Sequence, residues 1–203
     1  TDGTTVSNVM LKNVIINNSN TNNSSGAGGI FGRLSATASI NDIYVEGDIV
    51  SPNNSGGLVG LAENPNGILT AQRIVAYGRT SIRSATQYAG GVVGRNNKNG
   101  SSSLSDLFFT GALYAGSNKA GTLYNNSAIA YSNAWAAEWS WDNTPTILYT
   151  AMTGTSADYF NNYITLRSSL TSSWWNTNMP NFSSNGYWIY DLTTFLYVLK
   201  AKV

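Results

Sequence analysis

Three stretches of the chain distribute apolar and polar residues in the same way. INDIYVEGDI (Ile40 to Ile49), AQRIVAYGRT (Ala71 to Thr80) and LSDLFFTGAL (Leu104 to Leu113) each run apolar, two spacers, apolar, alternation, glycine. Within the first, Ile43, Val45 and Ile49 fall on one face and Tyr44, Glu46 and Asp48 on the other. Period-two alternation of this kind predicts half-buried β-strands. An earlier stretch, VSNVMLKNVI (Val6 to Ile15), follows the pattern with Asn13 where the others carry Gly47, Gly78 and Gly111. Asn is the non-glycine residue best suited to left-handed backbone, so a shared turn or bulge is expected there.

A second element precedes each of the three later strands. GGIFG (Gly28 to Gly32) returns as GGLVG (Gly56 to Gly60) and GGVVG (Gly90 to Gly94), with a worn copy, AGTLY, at Ala120 to Tyr124. The second glycine stands at 29, 57, 91 and 121, at intervals of 28, 34 and 30 residues. Repeats of that length point to a supersecondary unit. The repeat glycines are Gly28, Gly29, Gly32, Gly56, Gly57, Gly60, Gly90, Gly91 and Gly94. A phosphate-binding loop would need a helix N-terminus after the glycines, and neither GRLSATAS nor GRNNKNGSSS opens one. The glycines therefore read as structural: Ile30, Leu58 and Val92, or their neighbours Phe31, Val59 and Val93, point into a core. The glycines beside them allow sharp turning or close packing.

Short strands, glycine turns and the lack of helix-period segments predict an all-β fold, a parallel β-helix or β-solenoid of about four rungs over residues 1–131. Residues 132–203 hold all six Trp and no glycine cluster, and read as an aromatic-rich cap containing a short helix. Trp135 and Trp139 stand four apart, the spacing of one helix face.

The glycine clusters with their following strands resemble the GLUG-type repeats of bacterial surface adhesins and of the non-catalytic part of immunoglobulin-A-cleaving metallopeptidases. The resemblance covers about Val6 to Tyr131. It implies display or spacer elements, and the peptidase zinc motif, which needs two histidines, is absent from a chain with no His.

Composition narrows the chemistry. With neither Cys nor His, the chain has no disulfide, no thiol nucleophile and no imidazole base. Eleven basic against ten acidic residues give a net charge of +1, which supplies no field to hold nucleic acid. No segment approaches a membrane span. Low charge, at 10%, with polarity carried by Asn, Ser and Thr, points to an extracellular or cell-surface setting. No cofactor, metal or catalytic residue is expected.

Asp42, Glu46 and Asp48 form the best carboxylate group, at a spacing glycosidases can use. The same columns in the next copies read Tyr77 and Arg79, then Thr110 and Ala112, so no acidic patch builds; Asp48 and Arg79 read as a surface ion pair. Met10, Tyr44, Val75 and Phe108 occupy one outward column in successive copies. Either the C-terminal region folds across this ladder or it docks a partner. Tyr44, Tyr77, Phe108, Trp174 and Trp188 are the candidate ligand-contacting rings, for a sugar or a packed core. Asn-rich loops carry sequons at Asn17, Asn22, Asn23, Asn53, Asn99, Asn125 and Asn181, about as many as this composition yields by chance.

The resulting expectation is a non-enzymatic extracellular scaffold, spacer or filament subunit. Its partners would be itself, end to end or laterally, or a host or surface glycan or protein. The alternatives are a carbohydrate-binding or carbohydrate-cleaving β-helix, and an accessory region of a secreted peptidase.

Overall fold

The computed structural model describes residues 3–63, 67–97, 102–115, 119–123, 130–137, 162–164 and 169–200. Fourteen strands and two short helices occur among them: β1 (Thr4–Asn17), β2 (Ala27–Gly28), β3 (Phe31–Leu34), β4 (Ala38–Ser51), β5 (Asn54–Gly56), β6 (Val59–Ala62), β7 (Leu69–Ser84), β8 (Tyr88–Asn96), β9 (Ser103–Ala115), β10 (Lys119–Leu123), β11 (Ala130–Ala137), β12 (Asn162–Ile164), α1 (Ser172–Asn178), α2 (Pro180–Ser184), β13 (Trp188–Asp191) and β14 (Leu196–Leu199). The fold is all-β and its two large sheets are parallel. Sheet 1 runs β1-β4-β7-β9-β11-β12; sheet 2 runs β2-β5-β8-β6-β3, with β10 also on β8. β13 and β14 form a separate antiparallel hairpin. No helix is long and apolar enough to cross a membrane among the described residues.

The period-two strands form sheet 1 and the glycine clusters form sheet 2. Ile40 pairs with Ala71, and Ala71 with Leu104; Met10 pairs with Tyr44, Tyr44 with Val75, and Val75 with Phe108. The outward column read from the sequence is thus one row of the sheet, and Trp135 of β11 extends it past Phe108. Trp135 lies on a strand, not on the helix that its spacing from Trp139 suggested. Trp139 and Trp141 fall outside the described residues.

One feature of the backbone explains why the apolar residues stand three apart. Asn8, Asp42, Arg73, Asp106 and Asn133 occupy equivalent positions on five strands, all with φ between 53° and 58°. In an unbroken strand, residues three apart face opposite sides. A left-handed residue between them resets the alternation, so Ile40 and Ile43, Ala71 and Ile74, and Leu104 and Leu107 all reach the same core. Further along, the register shifts again between Leu11 and Val14, Glu46 and Ile49, and Gly78 and Ile82. A bulge is present there as expected, but Asn13 does not stand in for glycine. Its φ is 55°, against 152° at Gly47 and 136° at Gly111, and Val14 pairs with Gly47.

In sheet 2, Gly28, Gly56 and Gly90 pair in register, as do Phe31, Val59 and Val93. Both apolar residues of each later cluster are buried: Leu58, Val59, Val92 and Val93 are all fully enclosed. The second glycine of each cluster faces sheet 1. A Cβ on Gly29 would stand 2.6 Å from Val45 Cγ1, one on Gly57 2.5 Å from Ala76 Cβ, and one on Gly91 would enter the Phe109 ring. Close approach of the two sheets, rather than left-handed backbone, is what these positions require. In the worn copy, Gly121 pairs with Gly90, the first glycine of its pair instead of the second.

The Asn-rich turns are not free loops. Asn53 Nδ2 donates to the Asn22 carbonyl at 2.7 Å, Asn54 Nδ2 to the Ser25 carbonyl at 2.7 Å, and Gln87 Nε2 to Asn23 Oδ1 at 2.8 Å. Their polar groups join successive turns to one another.

Candidate functional site

The outward row of sheet 1 is where the sequence-predicted rings meet. Tyr44, Val75 and Phe108 are fully buried there, Met10 at the end of the row is 36% exposed, and Tyr77, in the row paired with Glu46 and Thr110, is buried beside them. What buries them is the C-terminal segment: Leu170, Trp175, Met179, Phe182, Trp188, Leu196, Tyr197, Val198 and Leu199 share one apolar cluster with them. The ring of Phe108 lies 4.6 Å from that of Trp175, Trp175 lies 5.4 Å from Phe182, and Phe182 lies 4.8 Å from Trp188. Most of these contacts are edge-on, the geometry aromatic rings favour. Trp174 is half-buried and meets Trp135 edge-on at 4.8 Å.

Local chemistry sets the segment's shape. The Thr171 hydroxyl accepts from Trp174 N at 3.1 Å and caps α1, whose buried residue is Trp175. Pro180 starts α2, and Gly186, at φ 77°, follows its last turn in the left-handed conformation that ends helices. Asn181 and Asn185, one turn apart, therefore both face the sheet.

They meet the left-handed column. Asp42 Oδ1 accepts from Asn185 Nδ2 at 2.6 Å, Trp188 Nε1 at 2.8 Å and Arg73 Nε at 2.6 Å, and Asp42 Oδ2 accepts from Arg73 Nη2 at 2.8 Å. Two strands away, Asp106 accepts from Asn181 Nδ2 at 2.8 Å, Asn133 Nδ2 at 2.7 Å and Gln72 Nε2 at 3.4 Å. Burial pushes the Asp42 carboxyl up, but the hydrogen bonds from Arg73, Trp188 and Asn185 outweigh it and hold the group below its ordinary value. Arg73 is raised chiefly by its bond to Asp42. Tyr44 donates to Glu46 Oε2 at 3.0 Å, and burial followed by that carboxylate pushes its hydroxyl far up.

The arrangement is that of a latch. Every oxygen of Asp42 and Asp106 is occupied by an amide, indole or guanidinium donor. Of the expected carboxylate group, Asp42 is bonded to the C-terminal segment and Glu46 to Tyr44. The side chain of Arg79 lies outside the described residues; on this face Asp42 pairs with Arg73. No group of three metal-ligating side chains occurs among the described residues. Sequence reasoning missed the left-handed column, although its signal was there: N, D, D and N stand at the same place in VSNVML, INDIYV, LSDLFF and YSNAWA. No protein-family model, curated protein or solved structure matches the chain.

Proposed function

We propose that the chain is a non-enzymatic structural module, a β-solenoid in which β1 with β2 and β3, β4 with β5 and β6, β7 with β8, and β9 with β10 are successive rungs. It serves at the cell surface as a rigid spacer or display scaffold. The observation that carries this reading is the pairing of equivalent residues across four copies in sheet 1 and three in sheet 2. Such stacking makes length and stiffness properties of the repeat number. The rings that would serve a sugar site, Tyr44, Phe108 and Trp188, are instead spent on holding the C-terminal segment. The low charge and the resemblance to GLUG-type surface repeats support an extracellular setting.

Tandem duplication of residues 38–68 tests the solenoid. A cooperatively folded monomer, one strand spacing longer by small-angle scattering, is expected; loss of cooperative unfolding would refute the rung assignment. A glycan array tests the scaffold role separately. Reproducible sugar binding abolished by Trp174→Ala would replace the scaffold with a carbohydrate-binding module. Protease shaving of intact source cells, with release of the chain, tests the location.

A further inference from the structure

Helix α2 ends on the pair Asn185-Gly186. An Asn side-chain amide cyclises onto the next backbone nitrogen most readily when Gly follows, because Gly has no side chain to obstruct the approach. Here the pair sits inside the latch. Asn185 Nδ2 donates to Asp42 Oδ1 at 2.6 Å, and Asn185 Oδ1 accepts from Tyr187 N at 3.0 Å, so both ends of the amide are held. The backbone is held as well. Asn185 caps α2 with φ −84° and ψ −4°. Closing a ring between Gly186 N and Asn185 Cγ turns ψ by about a third of a circle from that value, the angle separating Cβ from the backbone nitrogen about Cα.

Solvent, by contrast, is not kept away. Gly186 is exposed, and a Cβ added there would meet nothing within 4 Å, so water and hydroxide reach the peptide bond. What restrains cyclisation is geometry that exists only while the C-terminal segment is docked.

We propose that Asn185 is a self-modification site whose amide the latch guards, and that its deamidation makes undocking of the C-terminal segment a one-way step. In the undocked segment the deprotonated Gly186 nitrogen attacks Asn185 Cγ, the Cγ–Nδ2 bond breaks and ammonia leaves, closing a succinimide. Water then adds to either ring carbonyl and opens it to aspartate or isoaspartate, with no change of oxidation state. Either product disrupts the contact. Aspartate sets a carboxylate against Asp42 where an amide donated, and Arg73, the cation at this place, already donates to both Asp42 oxygens. Isoaspartate lengthens the main chain by a methylene three residues ahead of Trp188, whose indole is another donor to Asp42. The inference rests on the latch and is independent of the scaffold role.

The test holds the purified protein in mildly alkaline buffer and follows amide-to-acid conversion at Asn185 by peptide mapping and mass spectrometry. Conversion in the folded protein should be at least about tenfold slower than in the same chain unfolded in guanidinium chloride, and Asp42→Ala should speed it at least about tenfold by freeing one end of the amide. Should Asp42→Ala fail to fold, the wild-type protein in denaturant below its midpoint replaces it, with conversion rising as the docked fraction falls. Asn185→Asp, which is the product itself, should unfold at lower urea than the wild type at neutral pH, and most of that loss should vanish in an Asp42→Asn background. Equal conversion in folded and unfolded chains overturns the proposal, as does a rate unmoved by Asp42→Ala or by denaturant. Wild-type stability of Asn185→Asp would overturn the one-way step.

Discussion

Removing the Asp42 carboxylate is the sharpest perturbation of the contact between the C-terminal segment and the sheet. Asp42 is 4% exposed and accepts four hydrogen bonds, two of them from Arg73. In Asp42→Ala the Arg73 guanidinium, 18% exposed, loses its ion-pair partner, and the indole N–H of Trp188 and the amide of Asn185 lose their acceptor. Taking one member from a buried pair costs about 3–5 kcal/mol. Trp188→Phe keeps the ring contact with Phe182 and removes a single bond to a charged group, worth about 1.5–3 kcal/mol. The two should not add, since Trp188 has nothing to donate to once the carboxylate is gone. Urea unfolding followed by Trp fluorescence and by far-ultraviolet circular dichroism measures both variants and the double variant. Apolar burial keeps the segment docked, so one shifted transition is expected in both signals. A loss below about 1 kcal/mol for Asp42→Ala, or strict additivity with Trp188→Phe, would refute the latch.

Further expectations follow from the same contacts. Tyr44 is held neutral by burial and by Glu46, so its contribution is complete below its ordinary value of 10.0 and is lost as pH rises above it. The unfolding free energy from urea titrations should fall above pH 10 by about 1.4 kcal/mol per pH unit, and Tyr44→Phe should flatten that slope. For Asp42 the sign is opposite: stability is present above 3.8 and is lost as pH falls below it, which Asp42→Asn should blunt in an acid titration. Gly91→Ala drives a methyl into the Phe109 ring and should cost about 1–3 kcal/mol, part of it recovered in Gly91→Ala with Phe109→Leu, by thermal melting. Phe195 sits at φ 59° beside the hairpin turn. Phe195→Gly should regain about 1–2 kcal/mol of backbone cost, and Phe195→Val should be clearly the less stable of the two by thermal melting.

The parallel all-β class and the order of the strands were legible because the repeat prints the same pattern in successive copies, and equivalent letters become paired residues. The Met10, Tyr44, Val75 and Phe108 row is the plainest case. The four-residue spacing of Trp135 and Trp139 points to a helix face, whereas the YSNAWA pattern aligns Trp135 with Phe108 on a strand. Asp42 was given an open face by parity, and parity fails where a left-handed residue resets it. The bonds from Asn181, Asn185 and Trp188 to Asp106 and Asp42 span 75 to 146 residues, and nothing local in the sequence specifies them.

The latch has a consequence for how such a chain can change length. Its two acceptors lie on β4 and β9 with β7 between them, two strand spacings or about 9.5 Å apart. Helix α2 works as a ruler set to that interval. A unit added ahead of β4 leaves the ruler's two marks in place. Deletion of residues 38–68, which removes β4 itself, would bring Asn8 under Asn185 and Trp188, exchanging a carboxylate for an amide. A unit inserted between β4 and β9 would move the marks apart. On the proposed solenoid reading, whole units add on the β1 side, while the three strands beneath the C-terminal segment keep their spacing.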